Sequence, residues 1–306
     1  MTWSYVVRRL LQSLIVLKGV LVITFLMLHL TGDPASLMMP EDSTTDEIAE
    51  FRQRMGFNDP LLVQYGRFFV SALKFEFGVS FRQGEPAMKL VLERIPATAE
   101  LALAAILIAL VISLPAGVIS ATRRNSVWDR VSMLGALLGQ SMPNFWLGLM
   151  LLIVFAVWLN LLPSHGRGGL DHLILPAVTS GLYATARITR VLRSGMLDVL
   201  GEDYVRTARS KGLRENMVIY QHALKNAAIP VVTVIGLELG IVLGGTVVVE
   251  TVFAWPGVGR LTVNAIMNDD FPIVQAAVFF LAFMFIFINL VVDLLYAWLD
   301  PRISYK

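Results

Sequence analysis

Six continuous apolar runs decide what this chain can become. They lie at Leu10–Leu30, Ala97–Ile119, Val131–Val157, Leu170–Ala186, Ile229–Val249 and Ile273–Leu295. Each approaches or exceeds the ~20 residues an α-helix needs to cross a bilayer. The runs lack the every-second-residue alternation of a transmembrane barrel strand, which excludes a β-barrel. Composition agrees, with 56% of the 306 residues hydrophobic and 16% charged. The sequence therefore predicts one all-α integral membrane domain with six transmembrane helices. The first run follows Arg8 and Arg9, as a secretory signal would. It is too long for a signal core and has no small-residue cleavage pattern behind it, so it reads as an uncleaved first span.

Charge sets the orientation. Arg8, Arg9, the 122–130 loop, the arginine-rich 187–228 segment, Arg302 and Lys306 fall on one side if all six runs cross. By the positive-inside rule that side is cytoplasmic, and both termini lie there. The fourth run carries Pro176, Thr179 and Ser180 and is the least apolar; the charge bias is what argues that it crosses. The outer loops 158–172 and 251–271 then hold only Arg167 and Arg260. A net charge of +2 gives no reason to expect nucleic acid.

Between the first two spans lies an extracytoplasmic segment, 31–96, that opens with the turn Thr31-Gly32-Asp33-Pro34. Thr44 and Glu47 have capping-box spacing ahead of Ile48, Phe51 and Met55, which predicts a short helix. A second helix is predicted with Asp59 as cap and Pro60 at its first position, its apolar face being Leu61, Leu62, Tyr65, Phe68 and Phe69. Pro96 is expected to open the second span, so that 97–306 forms the core. The third span is interrupted at Ser141-Met142-Pro143-Asn144, where proline frees backbone carbonyls; a structural kink and a substrate contact both fit. The outer turn Glu250–Gly259 carries an aromatic at interface depth.

Catalytic constellations are missing from the sequence. The chain has no cysteine, its four histidines are scattered without metal-ligand spacing, and there is no GxSxG. Two acids sit inside apolar runs. Glu238, near the middle of the fifth span, is either pathway-lining or an internally paired or protonated structural residue. Asp293, near the inner end of the last span, calls for a cytoplasmic arginine. No GxxxxGK[ST] occurs, so any energy from ATP must enter through another chain.

The entry point is expected between Gly201 and Pro230. Glu202–Lys211 reads as a helix with acids at its start, Arg206, Arg209 and Lys211 towards its end, and Gly212 as the stop. About ten residues make only ~15 Å, too short to cross a bilayer. This stretch resembles the EAA loop of binding-protein-dependent ABC importer permeases. The blocks GEDYVRTARSKG, HALKNAAIPVVTVIG, ETVFAWPGVG, TGDP and LVVDLLYAWLDPRI resemble, more closely, the B-type permeases of dipeptide, oligopeptide, nickel and glutathione importers. Asp269-Asp270-Phe271-Pro272 departs from the Arg-Asp-Tyr-Pro common in such relatives, and Asp300 stands in place of a common Asn before Pro301.

The resemblance implies a type I ABC importer permease fold in the cytoplasmic (inner) membrane of a prokaryote. It implies pairing with a homologous second permease, two cytoplasmic ATP-binding subunits and an extracytoplasmic solute-binding protein. ATP and Mg would sit on those ATPase subunits, with no cofactor on this chain. Glu202, Asp203, Tyr204, Ala208, Lys211 and Gly212 would form a coupling helix held by an ATPase, with the small Ala208 on its docking face. Met142, Pro143, Asn144 and Glu238 are the candidate translocation-pathway residues. The solute is expected to be a di- or oligopeptide, with a nickel chelate or glutathione as alternatives. The rival class is an ion-driven secondary transporter or channel.

Overall fold

The computed structural model describes residues 3–39, 43–80 and 82–299. Arg302, Lys306 and the Asp300-Pro301 pair, all used above, lie outside them. The described residues fold into helices, with a single isolated bridge between Val79 and Pro86. Five helices are long: α1 (Trp3–Thr31), α5 (Ala87–Thr122), α8 (Leu170–Leu200), α11 (Leu224–Val252) and α13 (Phe271–Leu299). Among the described residues, α1, α5, α11 and α13 are apolar enough over a sufficient length to cross a membrane unaided.

The third predicted span is two helices. Here α6 (Val127–Ser141) ends at the predicted break and α7 (Asn144–Leu151) begins after it, continuing as a π-type helix over Leu152–Trp158. The two are bent by 107°, far beyond a kink; the helix breaks here because Pro143 cannot donate a backbone hydrogen bond and its ring disfavours helical geometry at Met142. Contacts of this pair nonetheless climb α8 in order. Asp129 meets Arg193, a Cβ on Gly139 would meet Leu182, and one on Gly148 would meet Thr179. The fourth predicted run, 170–186, is only the first half of α8, which continues to Leu200 and carries Arg187, Arg190 and Arg193 on the same helix. That polarity keeps α8 out of the set that crosses on apolarity alone.

Small residues let α8 and α5 approach closely. A Cβ on Gly181 would stand 2.5 Å from the Ala105 carbonyl oxygen, and Ala102, Ala105, Ala109 and Ala184 are buried around it. Such packing suits a bilayer, where apolar burial gains little and close van der Waals contact drives helix association. The other side of the molecule is joined by aromatic contacts between the outer segment and α13, among them Phe77 with Phe279 and Phe75 with Phe283. Near the ends of α1 and α13, Arg9 reaches Asp293 at 3.1 Å, an arginine partner for the acid in the last span. Asp129 accepts two bonds from Arg193, at 2.8 and 2.9 Å, and one from Ser120, tying α5, α6 and α8 together.

The outer segment holds α2 (Pro34–Met38), α3 (Thr45–Met55) and α4 (Leu61–Leu73). The capping box forms in full: Thr44 accepts from the Glu47 N–H, and Glu47 accepts from the Thr44 N–H and hydroxyl. Those two bonds from Thr44 hold the Glu47 carboxyl below the usual carboxylate range. Asp59 is not a cap. Its carboxylate pairs with Arg67 at 2.6 Å, and Pro60 precedes α4 without a side-chain cap. Nor do all five apolar residues of α4 face inward: Phe68 and Tyr65 pack on Phe25 of α1, whereas Leu61 and Leu62 are exposed. Pro96 lies inside α5 instead of opening it; the helix starts nine residues earlier, behind Pro86.

The outer turn differs most from its expectation. Trp255 is fully buried and donates its indole N–H to the Ala97 carbonyl at 2.8 Å, so its ring packs within this chain. Behind it, α12 (Val258–Met267) is a short helix within the stretch that reads as an outer loop. Glu250, also fully buried, secures it by accepting from Thr98 Oγ1 (2.7 Å) and the Arg260 N–H (3.0 Å). A Cβ on Gly259 would lie 2.5 Å from the Val247 Cα, which explains a glycine at this crossing.

Candidate functional site

Two regions carry the residues singled out by the sequence. The first is α9 (Asp203–Ser210), one residue shorter at each end than predicted, with Glu202 and Lys211 as its flanking caps. It lies between the end of α8 and the start of α11. Its apolar side, Val205 and Ala208, is buried against Val218, with Val199, Leu200 and Leu213 around it. Ala208 therefore faces this chain and is not part of a docking face. The outward surface is made by Glu202, Asp203, Tyr204, Arg206, Thr207, Ser210, Lys211 and Gly212, all exposed.

Two further contacts and a backbone turn fix α9 to its neighbours. Tyr204 accepts a 2.7 Å hydrogen bond from the Asn226 side chain at the start of α11. Arg209 pairs with Glu215 at 2.8 Å across the following turn, which continues through α10 (Glu215–Met217) and the π-type helix Val218–Ala223. Gly212 holds φ at +74°, a left-handed conformation that costs an L-residue with a side chain ~1–2 kcal/mol. The result is a small rigid body that ends α8 and begins α11, with a polar face turned away from the chain.

The second region lies between α7, α8 and α11. A cavity of about 40 Å³ is lined by Asn144, Ser180, Tyr183 and Glu238, among others. It has room for about one or two waters and no more. Glu238 is fully buried, and Arg187 of α8 approaches its Oε1 at 2.8 Å. The approach is ionic in distance but not aligned as a hydrogen bond, so both carboxylate oxygens and the Ser180 hydroxyl are buried without hydrogen-bond partners. Of the four predicted pathway residues, Asn144 and Glu238 meet here. Met142 and Pro143 do not line the cavity; they form the hinge that ends α6 and begins α7. Ser180, Tyr183 and Arg187 went unnoticed in the sequence as site residues. Their spacing of three, then four, places them on one face of α8 and was the available signal.

No group of His, Asp and Glu suited to a metal ion occurs among the described residues. The comparisons with known proteins bear on the arrangement as a whole. Residues 113–305 match the family described as "Binding-protein-dependent transport system inner membrane component", and residues 2–102 match the N-terminal membrane-component family of the same systems. The chain is 40% identical to the dipeptide transport system permease protein DppB of Alkalihalophilus pseudofirmus and 40% identical to the oligopeptide transport system permease protein AppB of Bacillus subtilis. It is 42% identical to the glutathione transport system permease protein GsiC of Escherichia coli K12. Each of the three alignments covers 99% of both chains. Among solved structures, a chain of the MetNI methionine ABC transporter superposes with a TM-score of 0.54 at 15% identity, covering 71% of this chain and 98% of that one. A chain of an amino acid ABC transporter gives 0.51 at 15% identity, covering 70% and 94%. At that identity the likeness is one of fold. The helical membrane architecture, the two family matches and the full-length similarity to three transport-system permeases place this chain in the binding-protein-dependent transport system inner membrane component family, as an ABC importer permease subunit.

Proposed function

We propose that this subunit passes a short peptide across the cytoplasmic membrane, taking its energy from separate ATPase subunits through α9. The observation that carries this reading is the match, over 99% of both chains, to permeases named for dipeptide and oligopeptide transport. Glutathione, itself a small peptide, stays within the same solute class. In this reading six segments cross, with α6–α7 as one broken crossing and α8 as the least apolar one. Both termini and α9 lie inside, and 31–86 with the start of α5 lies outside. A homologous permease completes the pathway, and an extracytoplasmic binding protein delivers the solute.

ATP-driven closure of the ATPase pair moves α9, which is continuous in packing with α8 and α11. Relative movement of those two helices is felt at Arg187–Glu238, and Asn144 and Glu238 line the pathway when it opens. Alternating access then follows from rocking of helices about a fixed site. Reconstitution tests it: proteoliposomes containing this chain and its partner subunits should take up labelled Ala-Ala only with ATP and binding protein. Uptake by this chain alone, driven by an ion gradient, would instead establish the ion-driven transporter.

A further inference from the structure

The bases on the face that the proposed topology turns outward are distributed unevenly between paired and unpaired. Arg52, Arg54, Arg67, Lys89 and Arg167 are each in an ion pair, with Asp33, Glu50, Asp59, Glu85 and Glu100 respectively. Lys74, Arg82, Arg94 and Arg260 have no ion pair among the described residues, and the three arginines line one cavity of about 280 Å³. The cavity lies where Arg82, Gln83 and the start of α5 meet α12 and the start of α13. Gathering three guanidinium groups in a concave site raises the local potential and is unfavourable unless an anion offsets it.

The site is held in place. The Arg260 N–H is bound by the buried Glu250, and its Nη1 donates to the Ala254 carbonyl at 2.5 Å. Arg82 donates through Nε to the Asn268 carbonyl at 3.1 Å, leaving its terminal nitrogens without a hydrogen bond among the described residues. The buried Asp270 also lines the cavity; it accepts from Ser80 at 2.5 Å through Oδ2, while Oδ1 has no hydrogen-bond partner among the described residues. Gln83 and Asn264 add neutral amides. Three positive charges against one negative leave a surplus suited to an anion. Planar guanidinium groups match the flat, two-oxygen geometry of a carboxylate, and phosphate is the competing anion that the test below separates from it.

We infer that Arg82, Arg94 and Arg260 form an outer binding site for the carboxylate of a small solute, with a volume suited to a molecule of about dipeptide size. Its outward orientation rests on the topology proposed above; its ligand chemistry does not. The test is ligand-observed NMR on the full-length chain in nanodiscs of neutral phosphatidylcholine, with Ala-Ala, its C-terminal amide and inorganic phosphate as probes. Ala-Ala should bind saturably, and binding should weaken at least tenfold both for the amide and in R82Q/R94Q. Arg94→Gln alone, at a side chain with no hydrogen bond or ion pair among the described residues, should weaken it at least threefold and covers the case in which the double variant does not fold. Unchanged affinity in Arg94→Gln, equal binding of acid and amide, or displacement of Ala-Ala by an equal concentration of phosphate would each overturn the assignment. Binding is read without ATP, partners or a gradient, so a failed transport assay leaves this site standing, and the reverse also holds.

Discussion

A single buried carboxylate shows how much a residue's meaning depends on its partner. Glu238 is fully buried, and its compensating charge comes from Arg187, whose side chain is 35% exposed. Removing one member of a buried pair leaves the other uncompensated, typically at ~3–5 kcal/mol, whereas neutralising both is far milder. Arg187→Ala should therefore lower thermal stability of the purified protein more than Glu238→Gln does, and the double variant R187A/E238Q should recover much of the loss. A double variant no more stable than Arg187→Ala would show that the two side chains do not act as a pair. The same Glu238→Gln variant, assembled normally, should lose transport if the carboxylate lines the pathway; unchanged uptake and solute preference would remove it from that role. The acid itself was legible in the sequence as a charge inside an apolar run. Its arginine was not, because 187 sits where topology alone accounts for a basic residue.

At the scale of elements, α9 owes its rigidity to two features: an apolar stripe of Val205 and Ala208 against Val218, and a stop at Gly212 in a left-handed conformation. Gly212→Val should disturb the turn and reduce stimulation of the partner ATPases severalfold, while the helix content measured by circular dichroism stays within error of the unmodified protein. ATPase stimulation equal to the unmodified chain would contradict the lever. Short-range signals in the sequence served well here, since caps, charges and the terminal glycine all act within one turn. The same holds for the Thr44–Glu47 box and for the break at 141–144. Long-range geometry was hidden. The 107° bend depends on how α6 and α7 pack along α8, and the burial of Trp255 depends on the carbonyl of Ala97, far away in sequence. Ala208 reads as a free small face until Val218 is placed beneath it. Likewise α12 has no local signal in the sequence, because its start is secured by Glu250 from the preceding helix and not by a side-chain cap.

For the whole molecule, the described contacts form a continuous mechanical route. The packed body at 199–226 joins α8 to α11, those helices meet at Arg187–Glu238, and α8 is held to α5 and α6 by backbone proximity at Gly181 and by the Asp129–Arg193 bonds. In the proposed function, an input at α9 would reach the helices around the Glu238 cavity along this route. The absence of cysteine from the sequence makes the contact directly measurable, since an introduced thiol is the only one in the chain. Thr207→Cys on the exposed face of α9 should cross-link to a thiol-labelled ATPase subunit in native membranes, with a yield that changes when nucleotide is added. Asp269→Cys, at the end of the molecule that carries α12, should give no such product. Coupling through α9 is contradicted if Thr207→Cys fails to cross-link in a transport-competent complex, or if Asp269→Cys cross-links to the ATPase in its place.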